Sequence, residues 1–130
     1  MKTKVQIIGK GGWGNTINDN IKSIVDFVEP KEADWIIIST PNDLHYEQVS
    51  YWLGKRKNVF CEKPLTLTYK SAKELYDFAD NMGVKLYVDD VFSWRDDYDI
   101  YDDVNHFVWT KPNQKDKNFI DRLAYHPVSY

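Results

Sequence analysis

The 130-residue chain contains a single cysteine, Cys61, so no internal disulfide can form and a reducing, cytoplasmic setting is expected. It has no apolar stretch near the roughly 18 residues that cross a bilayer. Met1 to Ile8 lacks the layout of a signal peptide. A strong charge of either sign is also missing. Seventeen lysines and arginines face twenty aspartates and glutamates, a net charge of −3, and the one dense basic run is Lys55-Arg56-Lys57. Three such charges read as solvated surface, so neither nucleic acid nor a membrane is expected as a partner. No internal repeat, low-complexity segment or metal site is expected.

What is present is the composition of an ordinary globular protein, 42% hydrophobic and 28% charged. One domain of this length buries about two-thirds of the surface its unfolded chain exposes, enough for a core. Five Trp, nine Tyr and six Phe supply large buried areas, and their default reading is packing.

Along the chain, short β-type runs alternate with helical periodicity. Lys4 to Ile8 reads as a buried strand running into Gly9-Lys10-Gly11-Gly12-Trp13-Gly14. Beyond it Ile17, Ile21, Ile24, Val25 and Val28 recur at helical spacing up to a stop at Pro30. Trp35 to Ile38 reads as a second strand, closed by Ser39-Thr40-Pro41-Asn42, where Asn42 or Asp43 can cap a helix carrying Val49, Trp52 and Leu53. Asn58 to Cys61 forms a third strand, ended by Glu62-Lys63-Pro64. Thr68 then caps a helix with an apolar stripe of Ala72, Leu75, Tyr76, Ala79 and Met82, Gly83 ends it, and Val84 to Val88 is a fourth strand. Such alternation implies parallel strands joined by right-handed crossovers. Val104 to Trp109 is a candidate further strand.

Gly9-x-Gly11-x-x-Gly14 follows a strand and opens a helix, the context in which this motif binds a dinucleotide, with a plain structural turn as the alternative reading. The glycines permit a tight turn, close approach of backbone to a pyrophosphate and close helix–strand packing, while the helix N-terminus offers free N–H groups. An acid that holds the adenosine ribose is expected roughly 20 residues later, at the tip of a second strand. Asp26 lies only twelve residues beyond Gly14 and inside the helical pattern, so a solvent-facing helix position is expected for it.

Thr40-Pro41-Asn42-Asp43-Leu44-His45 and Cys61-Glu62-Lys63-Pro64-Leu65 follow in order, with a helix between them, and Val88 to Arg95 closes the series. Together with the glycine loop they resemble the Gfo/Idh/MocA oxidoreductase family, in which a glycine loop precedes T-P-N-x-x-H, then E-K-P-L, then a helix and strand leading to an arginine. The resemblance implies an α/β fold with a Rossmann-like parallel sheet, and NAD or NADP as cofactor. It also implies hydride transfer at a secondary hydroxyl of a sugar, cyclitol or sugar nucleotide. By the same resemblance Gly9, Gly11, Gly12, Trp13 and Gly14 line the pyrophosphate, and Thr40, Pro41 and Asn42 pass beneath the nicotinamide ribose, with His45 just inside the next helix. Glu62 and Lys63 sit near nicotinamide and substrate, with Lys63 moving the proton of the reacting hydroxyl. Plainer roles stand beside these: His45 as a helix-start hydrogen-bonding residue, Glu62-Lys63-Pro64 as a strand-end turn, Cys61 as a small buried residue, and Trp94 and Arg95 packing the end of the sheet.

Measured against that family, the expected sheet is shortened to about four to five strands. It lacks the second and third strands and most of the C-terminal substrate domain, with residues 1–95 binding the dinucleotide and 96–130 forming a tail. The family's Asp-x-x-x-His pair has one candidate, His126, but Arg122 stands four residues before it and cannot replace a carboxylate. Loss of the second strand would leave the first at a sheet edge, so a homodimer formed through that exposed edge is expected. The reading is therefore a truncated NAD(P)-dependent oxidoreductase-like protein. The rival is a non-catalytic remnant that serves as a binding or oligomerisation module, and a third possibility is a fragment completed by a partner chain.

Overall fold

A computed structural model of the chain describes residues 1–89. The elements are β1 (Thr3–Ile8), α1 (Gly12–Ile21), β2 (Val25–Phe27), β3 (Trp35–Ile38), α2 (His45–Gly54), β4 (Asn58–Cys61), α3 (Tyr69–Met82) and β5 (Leu86–Val88), with a single 3-10 turn at Asn42–Leu44 leading into α2. All five strands are parallel, in the order β2-β1-β3-β4-β5. The expected α/β class and strand number are both found. Val91 to Arg95, the tail 96–130, the candidate strand at Val104 to Trp109 and His126 lie outside the described residues.

The chain moves outward from β1 to β2, returns past β1 to β3, and then continues to β4 and β5. Right-handed crossovers running in opposite directions place α1 on one face of the sheet and α2 and α3 on the other. Two register rows form the floor of the core on the α2/α3 face: Ile36, Val59 and Leu86, then Ile38, Cys61 and Val88. Strand alternation makes this a continuous apolar surface. Val49 and Leu53 of α2 and Leu75 and Ala79 of α3, each pair one helical turn apart, cover it. The Thr68 hydroxyl accepts the Ser71 N–H at 3.2 Å at the start of α3, and Gly83 closes that helix in the left-handed region at φ +67°. On the opposite face Trp35 stacks on Tyr87, with ring centroids 5.7 Å apart.

Two expectations need correction. The helix expected as far as Val28 stops at Ile21, and Val25–Phe27 forms a strand that pairs with Thr3 to Val5. Ile24, Val25, Phe27 and Val28 do fall at helical spacing, but they are β-branched or aromatic residues. Pairing with an available strand outweighs their weak helical preference. The second strand is therefore present, and β1 is flanked on both sides and forms no sheet edge. Among the described residues the edge beside β1 is β2, three residues long. A full doubly wound sheet carries a further strand outside the second. Here residues 28–34 return directly to β3, with no strand or helix of their own.

No helix among the described residues is long and apolar enough to cross a membrane. Leu53 is wholly buried and Leu67 is exposed. Leu53→Ala should lower the unfolding free energy by about 2–5 kcal/mol, and Leu67→Ala should change it by no more than about 0.5 kcal/mol, both read from urea denaturation.

Candidate dinucleotide site

Reversal of strand order between β1 and β3 opens a crevice at the C-terminal ends of these strands, the place where open α/β sheets bind ligands. Four of the chain's six glycines stand at its rim. Gly9 adopts φ +113°, and a Cβ there would lie 2.5 Å from the Ser39 carbonyl oxygen. A Cβ on Gly14 would lie 2.0 Å from the Gly9 carbonyl oxygen. These two glycines weld the end of β1, the first turn of α1 and the end of β3 together. Gly11 and Gly12 do something else, because a Cβ on either would meet nothing within 4 Å. They face open space at the start of α1, whose N-cap is Gly11, with no side chain capping the free N–H groups and no acid in the first turn. Uncapped N–H groups beside two unobstructed glycines fit an anionic diphosphate.

On the β2 side of this turn lies a groove of about 340 Å³, walled by Gln6, Gly9, Lys10, Asn15, Asn18 and Phe27. Asp26 precedes Phe27 on the strand and pairs in register with Lys4, so alternation directs it to the opposite face. The first acid beyond the C-terminal end of β2 is Glu29, which is exposed. Sequence reasoning missed it because the strand was read as helix. The run Ile24-Val25-Asp26-Phe27-Val28-Glu29 carries the signal, an apolar β-rich segment closed by an acid.

On the other side, the tips of β3, β4 and β5 bring together the two remaining motifs. Thr40 donates its hydroxyl proton to the Gln48 side-chain oxygen at 2.7 Å, and Pro41 and Asn42 lead into the 3-10 turn. His45 is wholly buried, with Nδ1 2.8 Å from the Pro64 carbonyl oxygen and Nε2 2.9 Å from the Thr40 carbonyl oxygen. It offers no surface to a ligand. Its ring instead ties the Thr40-Pro41-Asn42 loop to the loop carrying Lys63. Lys63 itself is half-buried, and the Lys63–Pro64 bond is cis.

Glu62 stands in a strongly perturbing environment. Its backbone N–H donates to the Ile38 carbonyl at 2.9 Å, and its carboxyl accepts the indole N–H of Trp13. Burial pushes its pKa up to about 7; the Trp13 N–H opposes that rise, the neighbouring Asp89 carboxyl adds to it, and the Lys63 backbone N–H opposes it. Asp89 follows β5, and its own backbone N–H donates to the Cys61 carbonyl at 2.9 Å. The sequence places it within the Val88–Arg95 run with no role of its own, and only the fold sets it beside Glu62. Cys61 is wholly buried, and burial followed by the Glu62 charge raises its thiol pKa, so it packs and does not react. No group of acidic, histidine or cysteine side chains suited to a metal occurs among the described residues.

The fold and crevice define a dinucleotide-binding domain of the oxidoreductase kind. Residues 4–90 match the model of the oxidoreductase family with an NAD-binding Rossmann fold, and the chain belongs to the Gfo/Idh/MocA family. It is similar to the 1,5-anhydro-D-fructose reductase of Ensifer adhaerens, 36% identical over 72 residues that make up 55% of this chain and 22% of that protein. It is also similar to the inositol 2-dehydrogenase of Mycolicibacterium smegmatis, 31% identical over 87 residues, 66% of this chain and 24% of that one. The chain thus spans less than a quarter of the length of these relatives. Among solved structures, the UDP-N-acetylglucosamine 3-dehydrogenase GnnA of Acidithiobacillus ferrooxidans shares the fold with a TM-score of 0.68 at 16% identity, covering 72% of this chain and 39% of that one.

Two measurements test the site's construction. Gly14→Ala, which drives a methyl into the Gly9 carbonyl, should cost about 3 kcal/mol of stability, whereas Gly12→Ala should cost no more than about 0.5 kcal/mol. The pKa of Glu62 is raised from 4.5 to about 7, so the folded chain holds that proton more tightly than the unfolded chain. Stability should therefore fall as pH rises through that window. Glu62→Gln should flatten the dependence of Tm on pH there, and should be the more stable form near pH 8 by on the order of 1–3 kcal/mol.

Proposed function

We propose that the chain binds a nicotinamide dinucleotide across this crevice and serves as the cofactor-binding part of an oxidoreductase acting on a sugar or cyclitol. The observation that carries this reading is the open space at Gly11 and Gly12 in front of the uncapped N-terminus of α1. In that arrangement the helix N–H groups hold the diphosphate, and the groove beside Asn15, Asn18 and Phe27 takes the adenosine half. Glu29, just past the end of β2, accepts hydrogen bonds from the adenosine ribose diol. That places NAD ahead of NADP, since a 2′-phosphate would meet a carboxylate.

The other half runs over Thr40 and Pro41 toward Glu62 and Lys63. When bound, the nicotinamide supplies hydride transfer. Lys63, held on the loop that His45 braces, moves the proton of the reacting hydroxyl. The relatives named for acting on anhydrofructose and inositol support a polyhydroxylated substrate. Catalytic turnover draws on further acid–base groups, for which the sequence offers His126 as a candidate.

Titration with NADH and NADPH by calorimetry tests the reading. Submillimolar NADH binding, lost in Gly11→Asp because a carboxylate then faces the diphosphate, is the expected result. Glu29→Gln should narrow the preference for NADH over NADPH by about tenfold, the worth of one charged hydrogen bond. No binding of either cofactor at millimolar concentration would sink the proposal and favour a non-catalytic binding or oligomerisation module.

A further inference from the structure

Trp13 and Glu62 stand 49 residues apart in the chain, and dinucleotide binding does not itself require them to touch. Trp13 is 54% exposed, yet its indole N–H is held by the carboxyl group of Glu62, a residue only 9% exposed. Their contact runs from the first turn of α1 to the end of β4. In the sheet, β3 lies between β1 and β4, so the contact bridges the tip of β3. A dinucleotide reaching from the glycine turn to Lys63 must pass over the same tip.

Asp89, beyond β5, stands beside Glu62, and its carboxyl adds to the rise in the Glu62 pKa. Two neighbouring carboxyl groups are costly to ionise together, which favours a proton on one of them. Among the described residues, the groups that act on Glu62 include the Trp13 indole from α1, the Lys63 backbone N–H beyond β4, Asp89 beyond β5 and the Cys61 thiol within β4.

We propose that Trp13 gates the crevice, held closed by Glu62 and displaced by the entering dinucleotide, with the Glu62–Asp89 pair taking up a proton as the indole leaves. This gate rests on the dinucleotide reading above. The indole N–H favours ionised Glu62, so its departure favours the protonated form, as does the approach of a negatively charged diphosphate. Glu62 starts near 7 and moves higher in the complex. Affinity is then greatest below about pH 7 and declines as pH rises through that value.

The test is calorimetric titration of the full chain with NADH at about pH 6, 7 and 8, in two buffers of different ionisation heat, which reads proton uptake directly. The wild type should take up a fraction of a proton near pH 7 and bind up to about tenfold more weakly at the highest pH, equivalent to about one pKa unit. Glu62→Gln keeps an oxygen for the indole but cannot titrate, so it should bind with no uptake and no such decline. Trp13→Phe removes the donor and should bind several-fold more tightly than wild type. Binding without proton uptake, or a Trp13→Phe affinity equal to wild type, would overturn the gate and leave the dinucleotide reading standing. Absence of binding in wild type and Trp13→Phe alike would overturn the dinucleotide reading. The Trp13 indole N–H resonance then decides the rest: movement with pH around 7, absent in Glu62→Gln, upholds the proton-linked contact, and a static resonance overturns it too.

Discussion

Everything in residues 1–89 that bears on function depends on one close backbone contact, the meeting of Gly9, Gly14 and Ser39 where β1, α1 and β3 converge. The Gly9 carbonyl leaves no room for a side chain on Gly14, and the Ser39 carbonyl leaves none on Gly9. The Ser39 hydroxyl donates to the Gly9 carbonyl at 3.4 Å, and the Ser39 N–H donates to the Ile8 carbonyl at 2.8 Å. Because the strand order reverses at this point, the contact that seats the helix on the sheet also defines the crevice. A side chain of any size there would push α1 outward and move its N–H groups away from the strand tips.

A second layer of organisation stands behind the strand ends. Backbone hydrogen bonds carry the ladder one step past β3 and β4, through Ser39 and Glu62, so the motif residues begin where regular pairing stops. Polar side chains then take over. Thr40 meets Gln48, Trp13 meets Glu62, and His45 meets the carbonyls of Thr40 and Pro64. A buried carboxyl group with a neighbouring acid is costly to ionise. Its presence at the end of β4, above an otherwise apolar core, is a local cost to stability of the kind that functional sites carry.

Much of this was legible in the sequence because the informative residues act locally. The glycine turn, the Thr68 cap, the Gly83 terminus and the apolar stripe of Leu75 and Ala79 are read from neighbours a few positions away, and all are found. Val25–Phe27 was misread because its identity depends on a partner: only the edge of β1 offered by the folded sheet turns a helix-spaced segment into a strand. Glu29 was lost with it. Asp89 was overlooked for a related reason, since an acid after a strand is unremarkable until β5 is laid beside β4. His45 reads equally as a cofactor contact or as a helix-start hydrogen-bonding residue, and the fold turns its ring inward; no single-chain periodicity distinguishes a histidine that lines a site from one that braces it.

That brace carries a further constraint. Both ring nitrogens of His45 face carbonyl oxygens, which can only accept. The hold on each loop therefore depends on where the ring carries its N–H. The two loops that carry the paired motifs are thus joined through one side chain, and a change at that ring reaches both of them.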